Sequence, residues 1–481
     1  MSKTIFGVTN MKLATVLAVL WISEVSLIEL RLRSKGKLDT VPTNICNLEP
    51  THNDNIRCFC TKDIYHQISS AECWIFGKVT RDSFMWKLLV ESQPYLAEFN
   101  VISSKNGDLS SIPFDFSSKM LFLRNLTINF GSIDTIERFA FGNSTSLQKL
   151  ILSKNQINYL EQFSISNLLS LEELDLSENR INFIHSAVFL NLPQLKYVRL
   201  NKNNMSKIED KAFAGLSSVL ELDLSENFLC DINNLTFFGL SKLKVIDLST
   251  NKIIGLTSSV FLELWDIEEL YLDHNYIEFI SNRAFDGLRF LKILSMGHNR
   301  LSRFPAGLFT SVFTLVHLDL SYNRLETLVF DSIEQFYNNL LLNGTVQLQG
   351  NRFSCDCRLD WIYVLHQKST QSHIRKALDD LECSFYSDRV SSKDRVENLV
   401  CPPDLDNNKY AEDINVQMNE IGSQKMNLLS IPVKQLPCPA EYRPTPITVK
   451  QGSPQGSDMS TNIGAQFTLN VLFVIVFILF V

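Results

Sequence analysis

Apolar residues fall at positions 1, 4 and 6 of a nine-residue stretch, and that stretch returns every 24 residues. It reads "LQKLILSKN" from Leu147, "LEELDLSEN" from Leu171, "LKYVRLNKN" from Leu195 and "VLELDLSEN" from Val219. It continues as "LKVIDLSTN" from Leu243, "IEELYLDHN" from Ile267, "LKILSMGHN" from Leu291 and "LVHLDLSYN" from Leu315. Two weaker copies hold the same phase upstream, "FNVISSKNG" from Phe99 and "LRNLTINFG" from Leu123, making ten units over residues 99–340. Alternation at positions 4 to 6 predicts one short strand per unit. A unit this small cannot bury its apolar face alone, so the units must stack into a solenoid.

Two further columns share the period. Position 9 is Asn in all eight clear units: Asn155, Asn179, Asn203, Asn227, Asn251, Asn275, Asn299 and Asn323. One Asn could serve a single turn; eight in register predict a ladder that satisfies backbone groups between neighbouring coils. Position 19 carries Phe141, Phe189, Phe213, Phe237, Phe261, Phe285 and Phe309, with Ile165 and Ile333 as exceptions. A fixed inward position reads as core, not as a ligand-binding aromatic box. The two weak units have Gly107 and Gly131 in place of the Asn, as expected of terminal repeats.

The pattern L-x-x-L-x-L-x-x-N resembles the leucine-rich repeat. The resemblance implies an α/β horseshoe with a parallel β-sheet on its concave face. Such a solenoid needs a cap at each end. Cys46, Cys58, Cys60 and Cys73 in residues 35–98 resemble the N-terminal cysteine cap of extracellular members of the family. Residues 341–438, with "GNRFSCDCRLDWIYVL", resemble the C-terminal one. There the family pairs the first cysteine with the third and the second with the fourth. That implies Cys355 with Cys383 and leaves Cys357 to either Cys401 or Cys438. A zinc site is the alternative for a C-x-C cluster, but the His/Cys spacing for one is missing. Cys230 stands apart at position 12 of its unit, facing outward. It is either a free thiol or bridged, to a partner chain or to a spare cap cysteine.

The two ends of the sequence point to export. Lys3 and Lys12 flank a polar start, and "LATVLAVLWI" follows, the length of a secretory h-region; residues 1–26 are read as a signal peptide. An oxidising compartment turns ten cysteines into mostly disulfides. At the other end, "FTLNVLFVIVFILFV" follows a polar stalk, residues 439–458. Fifteen helical residues rise about 22 Å, short of a hydrocarbon core of about 30 Å. No Lys or Arg comes after Lys450, where a stop-transfer segment wants positive charge. Residues 459–481 therefore read as a signal for a glycosylphosphatidylinositol anchor, with Asp458 as attachment site and Ser457 as the second choice.

Between the ends, positions 2, 3, 5, 7 and 8 of each unit face solvent on the inner curve. They hold the candidate partner-binding residues Glu173, Asp175, Tyr197, Arg199, Glu221, Asp223, Asp247, Glu269, Tyr271, Asp273, His298, His317 and Tyr322. Charges of both signs beside aromatic groups suit a specific protein partner. Asp at position 5 is common in this repeat, so part of the acidity is background. A net charge of −7 with no basic stripe argues against nucleic acid. Glycosylation sequons stand at Asn125, Asn143, Asn204, Asn234 and Asn343. Asn125 falls on the concave face, where a glycan would push binding towards the middle and C-terminal units. Asn343 would be inward if the repeat phase restarted there, which a glycan forbids. No nucleophile elbow, HExxH or phosphate loop is present, so neither an enzyme nor a cofactor is expected.

Taken together, the chain resembles the lipid-anchored leucine-rich repeat adhesion molecules, the insect connectins in particular. "CDCRLDWIYVLH", "LECSFY" and "QLPCP" carry that likeness. It implies cell–cell adhesion, homophilic, at the outer leaflet of the plasma membrane. An anchored co-receptor that signals through a membrane-spanning partner and a secreted recognition protein are the two alternatives.

Overall fold

The computed structural model describes residues 44–47, 55–113, 116–305, 307–385 and 425–440, with 442 and 447. The expected signal peptide, Cys401, most of the stalk, and Asp458 and Ser457 lie outside them. Thirteen strands form one sheet along the inner curve. They are β1 (Ile56–Lys62), β2 (Ile68–Ile75), β3 (Glu98–Ser103), β4 (Asn125–Asn129) and β5 (Lys149–Ile151). β6 (Glu173–Asp175), β7 (Tyr197–Arg199), β8 (Glu221–Asp223) and β9 (Val245–Asp247) follow. β10 (Glu269–Tyr271), β11 (Ile293–Ser295), β12 (His317–Asp319) and β13 (Thr345–Gln347) complete the sheet. From β5 to β12 the parallel register advances by one 24-residue unit, with Glu173 opposite Tyr197 and Tyr197 opposite Glu221.

Positions 1, 4, 6 and 11 point inward and are fully buried, as in Leu171, Leu174, Leu176 and Ile181. The Phe column is buried too. Its rings stack at 5.7–6.3 Å along Phe189–Phe213 and Phe237–Phe261–Phe285–Phe309. The Asn ladder closes the coils. Asn179 Nδ2 donates to Leu152 O (2.9 Å) in the preceding coil and to Leu176 O (3.0 Å) in its own; its Oδ1 accepts from Ile157 N (3.1 Å). Asn203, Asn227, Asn251, Asn275, Asn299 and Asn323 repeat this geometry. Gly131 explains its own exception. Asn155 Oδ1 accepts from Gly131 N at 2.7 Å, and a Cβ on Gly131 would sit 2.8 Å from that oxygen.

The array runs one unit past residue 340. β13 pairs with β12 after a 28-residue step, His317 opposite Thr345, and Asn351 adds a ninth Asn rung, in an eleventh unit, by donating to Leu320 O and Leu348 O at 2.8 Å. The four extra residues are taken up by a seven-residue helix, Tyr337–Asn343. Leu340 of that helix fills the core, so Asn343 is exposed although it holds an inward repeat position. The restarted phase and the sequon are therefore compatible.

Both ends are capped. β1 pairs antiparallel with β2 and ends the sheet, tied by Cys46–Cys60 and Cys58–Cys73. Trp86, buried on the helix Phe84–Ser92, meets Phe116 edge-on at 5.0 Å. At the other end Cys355–Cys383 and Cys357–Cys438 close the cap, so Cys438 and not Cys401 is the partner of Cys357. Trp361 is fully buried and donates Nε1–H to Leu328 O at 2.6 Å. Cys230 is half-buried and disulfide-bonded, which removes the free-thiol alternative.

Candidate functional site

The concave sheet divides into two halves by the company its charges keep. From β5 to β7 they are paired. Glu173 lies between Lys149 (2.8 Å) and Arg199. Burial raises the Glu173 carboxyl, but the hydrogen bonds from Lys149 and Arg199 outweigh it and hold it below the usual range. Beside this row, Lys196 meets Glu172 at 2.8 Å. Further along that flanking row, Glu268 bridges Lys244 (2.9 Å) and Lys292 (2.5 Å), and hydrogen bonds from Lys292 and Lys244 lower it to about 2.

From β8 to β13 the carboxylates at positions 3, 5 and 7 form no salt bridge, although the Arg199 charge still lowers the neighbouring Asp223. Among the described residues Glu221, Asp223, Asp247, Glu269, Asp273 and Asp319 make no ion pair. No Lys or Arg occupies positions 3, 5, 7 or 8 from Val245 to Gly350. Burial first, and Asp247 next to it, push the Asp223 carboxyl up. Burial and Asp319 do the same to Asp273, against hydrogen bonds from Ser295 and Gly297. Tyr271 donates to Glu269 at 2.7 Å and is raised by burial and that contact. His317 Nδ1 and Thr345 Oγ1 are 2.6 Å apart. Part of the acidity is structural. The carboxylates of Asp175, Asp223, Asp247 and Asp319 each accept the backbone N–H two residues on, at 2.8–3.0 Å.

Position 8 forms the rim of this face. Phe130, Lys154, Glu178, Lys202, Glu226, Thr250, His274, His298 and Tyr322 all have φ between 52° and 61°. This left-handed turn is costly for a residue with a Cβ. It is held because most of these N–H groups donate to the next coil, as His298 N does to Ser321 O at 2.9 Å. The rim changes character along its length. Lys154–Glu178 (3.8 Å) and Lys202–Glu226 (3.7 Å) alternate in charge. His274, His298 and Tyr322 instead stack ring on ring, at 4.2 and 4.4 Å. The stack ends on Gly350, where a Cβ would lie 2.5 Å from the Tyr322 ring. Burial, then the neighbouring His274, lower the His298 pKa.

Register, inward leucines and Asn ladder decide the architecture. The fold is a leucine-rich repeat solenoid. The Leucine rich repeat family profile matches seven overlapping stretches that run together from residue 123 to 325. Among curated proteins, Connectin of Drosophila melanogaster is 38% identical over 69 residues, which are 14% of this chain and 10% of that protein. The chain thus spans a tenth of the curated relative it matches. Among solved structures, a TLR13–ssRNA13 complex aligns with TM-score 0.47 at 24% identity, over 56% of this chain and 40% of that one. The Drosophila Toll–Spatzle complex aligns with TM-score 0.47 at 17% identity, over 58% and 47%.

All thirteen candidate partner-binding residues lie on the concave sheet or its rim, but they are not one site. Glu173, Arg199 and Asp175 belong to the N-terminal half, with Tyr197 between them. The other nine line the C-terminal half. Asn125 is half-buried on β4 and donates to Glu98 Oε1 at 3.1 Å; Asn143, Asn204, Asn234 and Asn343 are exposed. Missing from the sequence reading is His274 as a partner of His298 and Tyr322. Aligning position 8 across units would have placed the three side by side, but only the backbone turn stacks them. Among the described residues no group of three or more His, Cys, Asp or Glu could hold a metal ion, and no helix is long and apolar enough to cross a membrane.

Proposed function

We propose that this is a cell-surface recognition protein that binds another protein through the C-terminal half of its concave face. The observation that carries the reading is the pair of half-buried carboxylates without a salt bridge, Asp223 and Asp273, beside a pre-stacked His–His–Tyr rim. Desolvated polar groups and ordered aromatic rings are what a specific interface uses. Stacked rings also lose little freedom on binding. Export, a glycosylphosphatidylinositol anchor in place of residues 459–481, and homophilic cell–cell adhesion complete the proposal. The stretch similar to Connectin supports the adhesive role.

A second reading has an observation of its own. An acidic face does not attract a copy of itself, so the carboxylates from Glu221 to Asp319 favour a heterophilic partner and a co-receptor role. Cell mixing separates the two. Homophilic adhesion predicts that expressing cells aggregate with each other and exclude non-expressing cells. Random mixing, with no self-association of the purified protein, sinks it and leaves the co-receptor reading. Treatment with phosphatidylinositol-specific phospholipase C should release the protein from the surface; retention refutes the anchor.

A further inference from the structure

The long sheet is finished differently at its two ends. At the C-terminal end the helix Ser372–Asp379 packs beside β13, with His373 Nε2 3.0 Å from Gly344 O. At the N-terminal end the last strand is β1. Phe76 N donates to Asn55 O at 2.7 Å, and the strands continue from there with Ile56 opposite Ile75. Bonded and unbonded pairs alternate along an antiparallel ladder. Arg57, Phe59 and Thr61 therefore bond to β2, while Ile56, Cys58 and Cys60 turn their N–H and C=O outward. Cys58 and Cys73, 4.0 Å apart at Cα, are one of the close, unbonded pairs. Among the described residues no hydrogen bond reaches the outward groups of Ile56, Cys58 and Cys60.

An open edge is normally blunted by charge, by a bulge or by a cover. Here β1 runs in regular register from Ile56 to Thr61, and the shift comes only at Lys62. The Arg57 guanidinium is turned back over the Phe76 ring, 5.9 Å from its centroid. The solvent side of the strand exposes Phe59 (64%), and the turn that follows exposes Ile64 (86%) and Tyr65 (76%). A groove lined by Cys46, Asn47, Cys58, Cys60 and Lys62 opens against the strand.

We propose that β1 pairs antiparallel with β1 of a second copy, joining the two sheets edge to edge across a two-fold axis. An edge strand is complementary to itself in this sense, as a two-fold contact requires. With Phe59 on the axis, Cys58 and Cys60 exchange backbone bonds with Cys60 and Cys58 of the other copy. Phe59 then meets Phe59 and Arg57 meets Thr61, so no like charges stand opposite each other. The turn of each copy lies beside Asn55 and Phe76 of the other. Phe59, Ile64 and Tyr65 offer roughly 400 Å² of apolar surface per copy. With the strand backbone this comes near the roughly 600 Å² per partner where weak, specific interfaces begin. Many copies on one surface would multiply such a contact. It locates the self-association of the adhesive reading, and rests on that reading but not on the concave site. The acidic face stays open to a different partner, and the two C-terminal caps lie at opposite ends of the pair.

Sedimentation of the purified protein tests the pair. Self-association is expected, weakened at least tenfold by Phe59→Lys, which sets two ammonium groups face to face on the axis, and kept by Phe59→Tyr. Glu72 stands opposite position 59 on β2, so the lysine is accommodated in the cap and the melting temperature should match the parent's. His298→Ala with Tyr322→Ala should leave self-association unchanged. A photoreactive benzoylphenylalanine in place of Phe59 should, on irradiation, cross-link to residues 57–61 of another copy. Self-association that survives Phe59→Lys, or cross-links that land elsewhere, overturns the edge pairing while homophilic binding stands. A protein that stays monomeric overturns both and leaves the concave site to another partner.

Discussion

The two halves of the concave face share a backbone and differ in what their side chains have already settled. In the N-terminal half Glu173 is held by Lys149 and Arg199, and Glu172 by Lys196. A partner arriving there would have to break ion pairs to make new ones, with little net gain. In the C-terminal half Asp223 and Asp273 are partly desolvated before any partner comes, and the rim rings are already ordered. The cost of forming an interface has been met largely in folding. Acidity summed over the face would not distinguish the halves; pairing does.

Four measurements press on this contrast. The largest effect is expected from His298→Ala with Tyr322→Ala, which removes two rungs of the stack. Partner binding should weaken roughly 30-fold or more, the scale of an interface hot spot. Glu172→Ala with Lys196→Ala should change it less than threefold. Equal losses from the two pairs would erase the distinction between halves. Next, Glu173→Gln leaves Lys149 and Arg199 facing a neutral amide. It should lower stability by about 1 kcal/mol in urea unfolding with affinity unchanged; a large affinity loss would move the site N-terminally.

pH gives a smaller effect. The folded-state pKa of His298 is lowered, so the unfolded chain binds more protons as pH falls below the ordinary His value of about 6.5. Its contribution is intact above that value and is lost as pH drops through the folded pKa. Melting temperature should therefore fall between pH 7 and 5 by less in His298→Phe than in the parent; identical slopes would mean that the stack does not resist protonation. The smallest effect concerns Glu268, lowered to about 2 by Lys292 and Lys244. Its stabilisation is present above pH 4.5, declines progressively below that value and is gone once pH has fallen through about 2. Being partly exposed, it should be screened by salt, with Glu268→Gln differing from the parent by about a degree or two at low ionic strength and not at all in 1 M salt. A difference that survives salt would show the Lys244–Glu268–Lys292 bridge to be stronger than a surface ion pair.

Much of this architecture was legible because each repeat position has one physical job. Leu174 or Asn179 cannot be replaced by another type without opening the core or orphaning a carbonyl, so the 24-residue period survives in plain letters. The eleventh unit was illegible for the same reason in reverse. Its inward position is Asn343, and Leu340 of an inserted helix does the packing instead. The closing cysteine was ambiguous because residues 386–424 separate Cys383 from Cys438, and spacing alone cannot tell a cap from an excursion. The stacked rim was not legible, since Phe, Lys, Glu, Thr, His and Tyr share no chemistry at position 8. What they share is a backbone angle, and side-chain letters do not spell that.

The Asn ladder has one more implication. Each amide reaches only its own coil and the one before. No rung knows how many others exist. A duplicated or deleted 24-residue module would leave every remaining rung intact, lengthening or shortening the horseshoe by one tooth. Such a molecule can change the size of its grip by copying a cassette, without redesigning a single contact.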